Sequence, residues 1–209
     1  MSSAPTSPGS SGPPGASSDE GASGDEGDAD AVSATAESEG ADDRLRRRVL
    51  WKMPSGLYLL GSRAGDRLNL MTLNWATQVA LEPKLVAVSV EAGAVTHGLI
   101  EESRVFALSI LDRRDRSIVR KFVKPVDPAD VDFDQQGEAT MRGIAVRSDR
   151  TGSPVLAQAA AWVDCTVKAS LEVGSHTLFV GEVVGFGFGE DGEEAPVLRM
   201  EDTRMNYGG

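Results

Sequence analysis

Hydrogen-bonding side chains, among them Thr72, Asn74, Thr77 and Gln78, stand among the large apolar residues of LNLMTLNWATQVA, residues 68–80, with Trp75 between them. A strand carries such groups where something polar lies against it: water, protein or a ligand. Read with a period of two, Met71, Leu73, Trp75, Thr77 and Val79 share one face, and Thr72, Asn74, Ala76 and Gln78 share the other. The first face suits a core. The second suits either a solvated outer surface or a flat, polar-edged ligand. Downstream, SVEAGAVTHGLIEES places Ser89 at a strand end, a glycine-bearing turn, and then Thr96 and His97 at a helix start. Free N–H groups, a hydroxyl cap and an imidazole at a helix N-terminus have the form of a phosphate site. Thr is also an ordinary N-cap with no ligand. Together, the two segments fit a ligand with a planar polar ring and a phosphate tail.

Other chemistry is scarce. Cys165 is the only cysteine, so no intramolecular disulfide is expected, and its alternating context WVDCTVKASLEV suggests a small buried residue. One cysteine and two distant histidines, His97 and His176, give no metal-ligand spacing. His176 follows the turn VGS and begins a strand, from which it faces a site or stacks in the core. The glycines of GFGFG, residues 185–189, lie inside a strand and precede no helix. They are therefore not a dinucleotide fingerprint but a bulge or a close backbone approach.

The elements that must position these residues are mostly strands. Alternation predicts strands over 56–62, 68–80, 84–90, 104–111, 159–173 and 176–188, with turns at 63–67 and at Glu82-Pro83. A short helix is expected after Thr96. Another is expected after Asp115, which can cap RSIVRKFV, where Ile118, Val119, Phe122 and Val123 fall at helical spacing. Residues 124–156 read as irregular. This order lacks the strict βαβα alternation of a parallel nucleotide-binding sheet and predicts an antiparallel barrel, closed or nearly so, with helices at its rim.

The chain has 209 residues and a formal net charge of −11. Of its 32 acidic and 21 basic residues, ten acidic and no basic ones fall in residues 1–43, so the rest carries 22 against 21. The acidity belongs to a tail of Ser, Gly, Ala, Pro and acids that cannot offset an ordering cost of ~1–2 kcal/mol per residue. We expect it to be disordered, as a solubilising extension or a docking segment for a basic partner. It lacks the basic start and apolar run of a signal peptide. No stretch has the ~20 apolar residues of a membrane span, and the cytoplasm is the expected compartment. Residues 44–209 are expected to form one domain. Arg44 and Arg46–Arg48, with Leu45, Val49 and Leu50 interspersed, suggest the solvated face of a short leading helix rather than a nucleic-acid patch. Trp51 and Trp162 are assigned to core or interface, and Tyr207 to a packed C-terminal position or a cover over a pocket.

The block LNLMTLNWATQVALEPKLVAVSVEAGAVTHGLIEESRVFALSIL, with GSHTLFVGEVV later, resembles the flavin reductase-like family of FMN-binding split barrels over roughly residues 50–190. The resemblance implies a mainly β fold, an antiparallel split β-barrel with short peripheral helices. It implies flavin contacts from Met71, Thr72, Leu73, Asn74, Trp75 and Ala76, and a ribityl and phosphate path along Ser89, Val90, Thr96 and His97. It places His176 near the nicotinamide as the catalytic candidate. The family motif there reads Gly-Asp-His, whereas this chain has Gly174-Ser175-His176 and lacks the acidic neighbour. The implied activity is hydride transfer from NADH or NADPH to FMN or free flavin, in a homodimer, with a flavin-dependent monooxygenase as candidate partner. The alternative is an FMN-binding barrel without reductase activity. Neither nucleic acid nor membrane is an expected partner, and no resident metal is expected.

Overall fold

The computed structural model describes residues 40–134, 139–203 and 205. The chain divides into two compact units, Met1–Arg48 and Val49–Gly209. Residues 40–50 form helix α1, whose residues 41–50 are exposed. This is the solvated leading helix anticipated from its sequence, and Arg47 pairs with Asp43 at 3.1 Å one turn away. Residues 40–43, read as the end of the tail, already belong to this helix. The rest of the expected tail lies outside the described residues.

The second unit is a mainly β, antiparallel barrel with short peripheral helices. Seven strands make its main sheet: β1 (Tyr58–Ala64), β2 (Arg67–Leu73), β3 (Ala76–Ala80), β4 (Leu85–Glu91), β5 (Val105–Ile110), β10 (Ala161–Val173) and β11 (His176–Phe188). Their spatial order is β2-β1-β5-β10-β11-β4-β3. The strands consecutive in sequence, β2 and β3, are thus the two opposite edges. Laid flat, six inter-strand spacings would separate them by about 29 Å. Yet Leu73 and Ala76 are three residues apart and reach at most about 11 Å. The sheet must curl until its edges meet at Asn74–Trp75, and no ladder joins them there. That is the split of the barrel.

The expected single strand over 68–80 is therefore two strands. The alternation holds through Leu73, which is buried in the barrel core, and then fails: Thr77, Gln78 and Val79 are all exposed. Residues 124–156, read as irregular, contain a second sheet of β6 (Val131–Phe133), β7 (Ala139–Met141), β8 (Ile144–Ser148) and β9 (Pro154–Leu156). These strands are three to five residues long, too short for periodicity to register. The helix expected after Asp115 is instead two 3-10 segments, Arg113–Asp115 and Ile118–Phe122, and the cap is Asp112, whose carboxylate accepts from the Arg114 N–H.

Alternation on β1 divides the interior in two. Leu59 joins Leu57, Leu70, Phe122, Met141, Leu156 and Leu198 between the two sheets and the 118–122 segment. Leu60 joins Leu73, Val88, Val90, Ile100, Phe106 and Phe179 inside the barrel. Gly61 lets the sheets touch: a Cβ there would stand 1.9 Å from the Pro154 carbonyl oxygen. Helix α2 (Val95–Ser103) closes one end of the barrel with Leu99 and Ile100 inward. None of the helices among the described residues is long and apolar enough to cross a membrane.

Candidate functional site

The chain crossing at Asn74–Trp75 lies at one rim of the barrel. The Trp75 carbonyl accepts the Ser89 N–H at 3.0 Å, fixing the crossing against β4. After β4, Gly93 adopts a φ of 92°, a conformation that favours glycine, and the chain turns into α2. The turn is fastened to the β10–β11 hairpin by the Ala92 N–H donating to the Ser175 carbonyl at 2.9 Å. His176, the next residue, packs its ring on Trp75 with centroids 4.9 Å apart and planes at 60°. Its Nδ1 lies 2.9 Å from Ser175 Oγ. Trp75, Ser89, the start of α2 and His176 therefore converge, although they come from four separate elements.

Thr96 does not cap α2. The N-cap is Ala94, with no side-chain hydrogen bond, and Thr96 sits inside the first turn, fully buried. Its Oγ1 accepts from Asn69 Nδ2 at 2.7 Å, while Asn69 Oδ1 accepts the Val126 N–H at 2.8 Å. Thr96 thus anchors the helix, and the N–H groups of Val95, Thr96 and His97 are left without an acceptor among the described residues. His97 is a second anchor. Its Nε2 lies 2.8 Å from Thr177 Oγ1, its Nδ1 lies 3.5 Å from Glu101 Oε2, and its ring packs on Phe179 at 5.3 Å. The helix start is thereby tied to the residue that follows His176.

Several expected contact residues are engaged within the protein. The Thr72 hydroxyl is buried and donates to the Val119 carbonyl at 2.6 Å. Leu73 and Val90 lie in the barrel core, and Met71 packs against it. Asn74 and Ser89 keep their capacity: neither side chain has a hydrogen-bond partner among the described residues, and Asn74 is only 7% exposed. Ala76, half-buried, opens β3 beside them. Trp75 presents an indole that is 42% exposed. Trp162 is buried, whereas Trp51 is exposed and does not belong to the core; Tyr207 lies outside the described residues. The anchors Asn69, Thr177 and Glu101 were not singled out from the sequence. Asn69 carried a signal, as a polar residue between Leu68 and Leu70; Thr177 and Glu101 carried none.

The arrangement fits a flavin nucleotide. A cavity of about 520 Å³ at the start of α2 is lined by Arg67, Gly93, Ala94, Val95, His97 and Glu101. Free N–H groups at the start of a nine-residue helix beside a guanidinium suit an anion. Arg67 is held there by Glu102. The Asn74 amide and Ser89 hydroxyl suit the polar edge of a ring, and the Trp75 indole suits its face. No group of His, Cys, Asp and Glu among the described residues forms a metal site.

Such a barrel, open at the seam between β2 and β3 and polar along that seam, belongs to the split β-barrel class. The model of the flavin reductase like domain matches residues 50–208, and the chain belongs to that family. It is a flavin oxidoreductase. An NADH-dependent FAD reductase of Streptomyces globisporus is 32% identical over 155 residues, covering 73% of this chain and 81% of that protein. The solved NADH:FAD oxidoreductase of Streptomyces globisporus C-1027 superposes with a TM-score of 0.63 at 28% identity, over 75% of this chain and 88% of that one. The styrene monooxygenase flavin reductase of Pseudomonas putida S12 gives a TM-score of 0.56 at 26% identity, over 68% and 86%.

Proposed function

We propose that this chain reduces FMN or free flavin at the expense of NADH or NADPH, acts in the cytoplasm as a homodimer, and passes reduced flavin to a flavin-dependent monooxygenase. The observation that carries the reading is the convergence of the Trp75–His176 ring pair with the free N–H groups of α2 on one rim. The names of the similar proteins, an NADH-dependent FAD reductase and a reductase of styrene monooxygenase, favour both the donor class and the partner class.

When bound, the flavin supplies the acceptor for a hydride from the nicotinamide, and the protein supplies orientation. Asn74 and Ser89 hold the polar edge of the ring, and Ala76 lets it approach β3. The N–H groups of Val95, Thr96 and His97, with Arg67, hold the phosphate. His97 and Thr96 keep those donors in place through Thr177 and Asn69. His176, braced on Trp75, meets the nicotinamide and excludes water from its face. Hydride transfer to the flavin needs no separate base.

Anaerobic mixing of the flavin-loaded protein with NADH or NADPH tests the reading. We expect the flavin absorbance to bleach, and persistence of the colour with both donors would leave a flavin-binding barrel without reductase activity. His176→Ala is expected to retain flavin affinity while slowing reduction, mainly through a higher KM for the dinucleotide. Arg67→Gln is expected to weaken FMN roughly ten- to hundredfold and riboflavin little, because riboflavin lacks the phosphate. Equal losses for both ligands would move the phosphate elsewhere.

A further inference from the structure

The segment after β5, RRDRSIVRKFVK at 113–124, carries six basic residues and one acidic. Several are engaged. Arg113 Nε donates to Asp202 Oδ2 at 3.1 Å, Arg114 pairs with Asp112 at 2.6 Å, and Lys121 Nζ donates to the Arg142 carbonyl at 3.2 Å. Arg116 and Arg120 have no acidic partner among the described residues. With Ser117, Asp202 and Thr203 they line a cavity of about 400 Å³, within the ~300–1,000 Å³ of small-molecule sites.

Among the described residues lining this cavity the one carboxylate, Asp202, is already engaged. Asp202 Oδ2 accepts the Arg199 N–H at 3.0 Å as well as Arg113, and these donors hold its carboxyl below the usual carboxylate range. Its ion pair is with Arg113, and neither Arg116 nor Arg120 is within ion-pair distance of it. The Ser117 hydroxyl has no partner among the described residues, whereas Thr203 Oγ1 donates to the Met200 carbonyl at 3.0 Å. Two unpaired guanidinium groups and a free hydroxyl around one concavity match a phosphate, which accepts from planar forks of donors.

The position narrows the ligand. The Thr72 hydroxyl bonds the Val119 carbonyl, so the segment between Arg116 and Arg120 is fastened to β2 just before the Asn74–Trp75 crossing. Thr72 and Trp75 are three residues apart, about 11 Å at full extension. The flavin phosphate has its own donors at α2. We infer that the Arg116–Arg120 cavity is an anion subsite for a phosphate of the nicotinamide dinucleotide, either the pyrophosphate common to both donors or the 2′-phosphate of NADPH. The inference rests on the proposed function.

Arg116→Gln, Arg120→Gln and the double variant test it, with KM for NADH and NADPH measured at saturating FMN and the Kd for FMN measured separately. The double variant is expected to raise the dinucleotide KM by tenfold or more and to leave the FMN Kd unchanged. A rise for both donors identifies the pyrophosphate, and a rise for NADPH alone identifies the 2′-phosphate. Arg120→Lys, which retains the charge, is expected to recover part of the loss. Unchanged KM for both donors, or a weakened FMN Kd in parallel, overturns the assignment. Calorimetric titration of the full chain with inorganic pyrophosphate reads the cavity even if flavin reduction itself fails. Binding that is lost in the double variant supports the subsite, and no binding to the parent chain overturns it.

Discussion

The hairpin of β10 and β11 runs thirteen residues on each strand, and its two ends are built differently. At the turn end, His176 leans on Trp75, Asn74 and Ser89 keep free hydrogen-bonding groups, and the helix start beyond them has unused donors. At the far end most such groups are consumed, although the buried Trp162 Nε1 has no partner among the described residues. Asp164, fully buried, accepts from the Thr151 N–H at 2.7 Å and from Thr151 Oγ1 at 2.5 Å. Gly185 admits the Asp149 carboxylate, and Gly187 admits the Trp162 ring, whose face Arg147 covers at 5.1 Å. Phe186 and Phe188 point the other way and are exposed. One end keeps free hydrogen-bonding groups, and the other is closely packed around a register shift between Asp164 and Cys165.

The contrast is broken most strongly at the packed end. Trp162→Ala is expected to cost about 3–5 kcal/mol, read as a shift of the denaturation midpoint, with the flavin Kd of the remaining folded protein unchanged. A parallel loss of flavin affinity would mean that the two ends are coupled.

Thr177→Val addresses the open end. It removes the hydroxyl beside His97 Nε2 and leaves a buried ring nitrogen unpaired, at about 1–3 kcal/mol. Flavin affinity is expected to fall with stability, and Thr177→Ser is expected to restore both. Lost stability at full affinity would make His97 an anchor of the core alone.

The smallest effect concerns Asp164. Burial pushes its carboxyl above the usual carboxylate value, against the hydrogen bonds from Thr151 and with Asp149 adding to the rise. The folded chain then holds that proton more readily than the unfolded chain. Stability attributable to this group therefore falls as pH rises from the ordinary carboxylate value through the raised one. Asp164→Asn is expected to lose that slope in denaturant titrations across the acidic range while leaving flavin binding alone. An identical slope in both proteins would place the pH dependence on other carboxylates.

These two ends also differ in how far the residues announced them. The long strands β10 and β11 follow from alternation, and of the two readings of GFGFG, a bulge or a close approach, the glycines at 185, 187 and 189 show the close approach. At the rim, the polar character of Asn74 and Ser89 was visible. The break between β2 and β3 was not, because polar and apolar residues continue to alternate through Trp75 while the chain changes edges. Thr72 and Thr96 carry the right chemistry for a ligand, yet the Val119 carbonyl and Asn69 take their hydroxyls. Such long-range partners have no local period. Arg116 and Arg120 stand out only once Arg113, Arg114 and Lys121 are seen to be engaged.

The solitary cysteine gains meaning from this chemistry. Cys165 is wholly buried beside Phe106 and Phe179, and burial pushes its thiol up to about 12. The thiolate is the form that oxidants attack. Reduced flavin that escapes to oxygen yields peroxide, so a chain of this kind works beside a source of its own damage. Its one sulfhydryl is kept protonated inside the barrel core, out of contact with that by-product in solution.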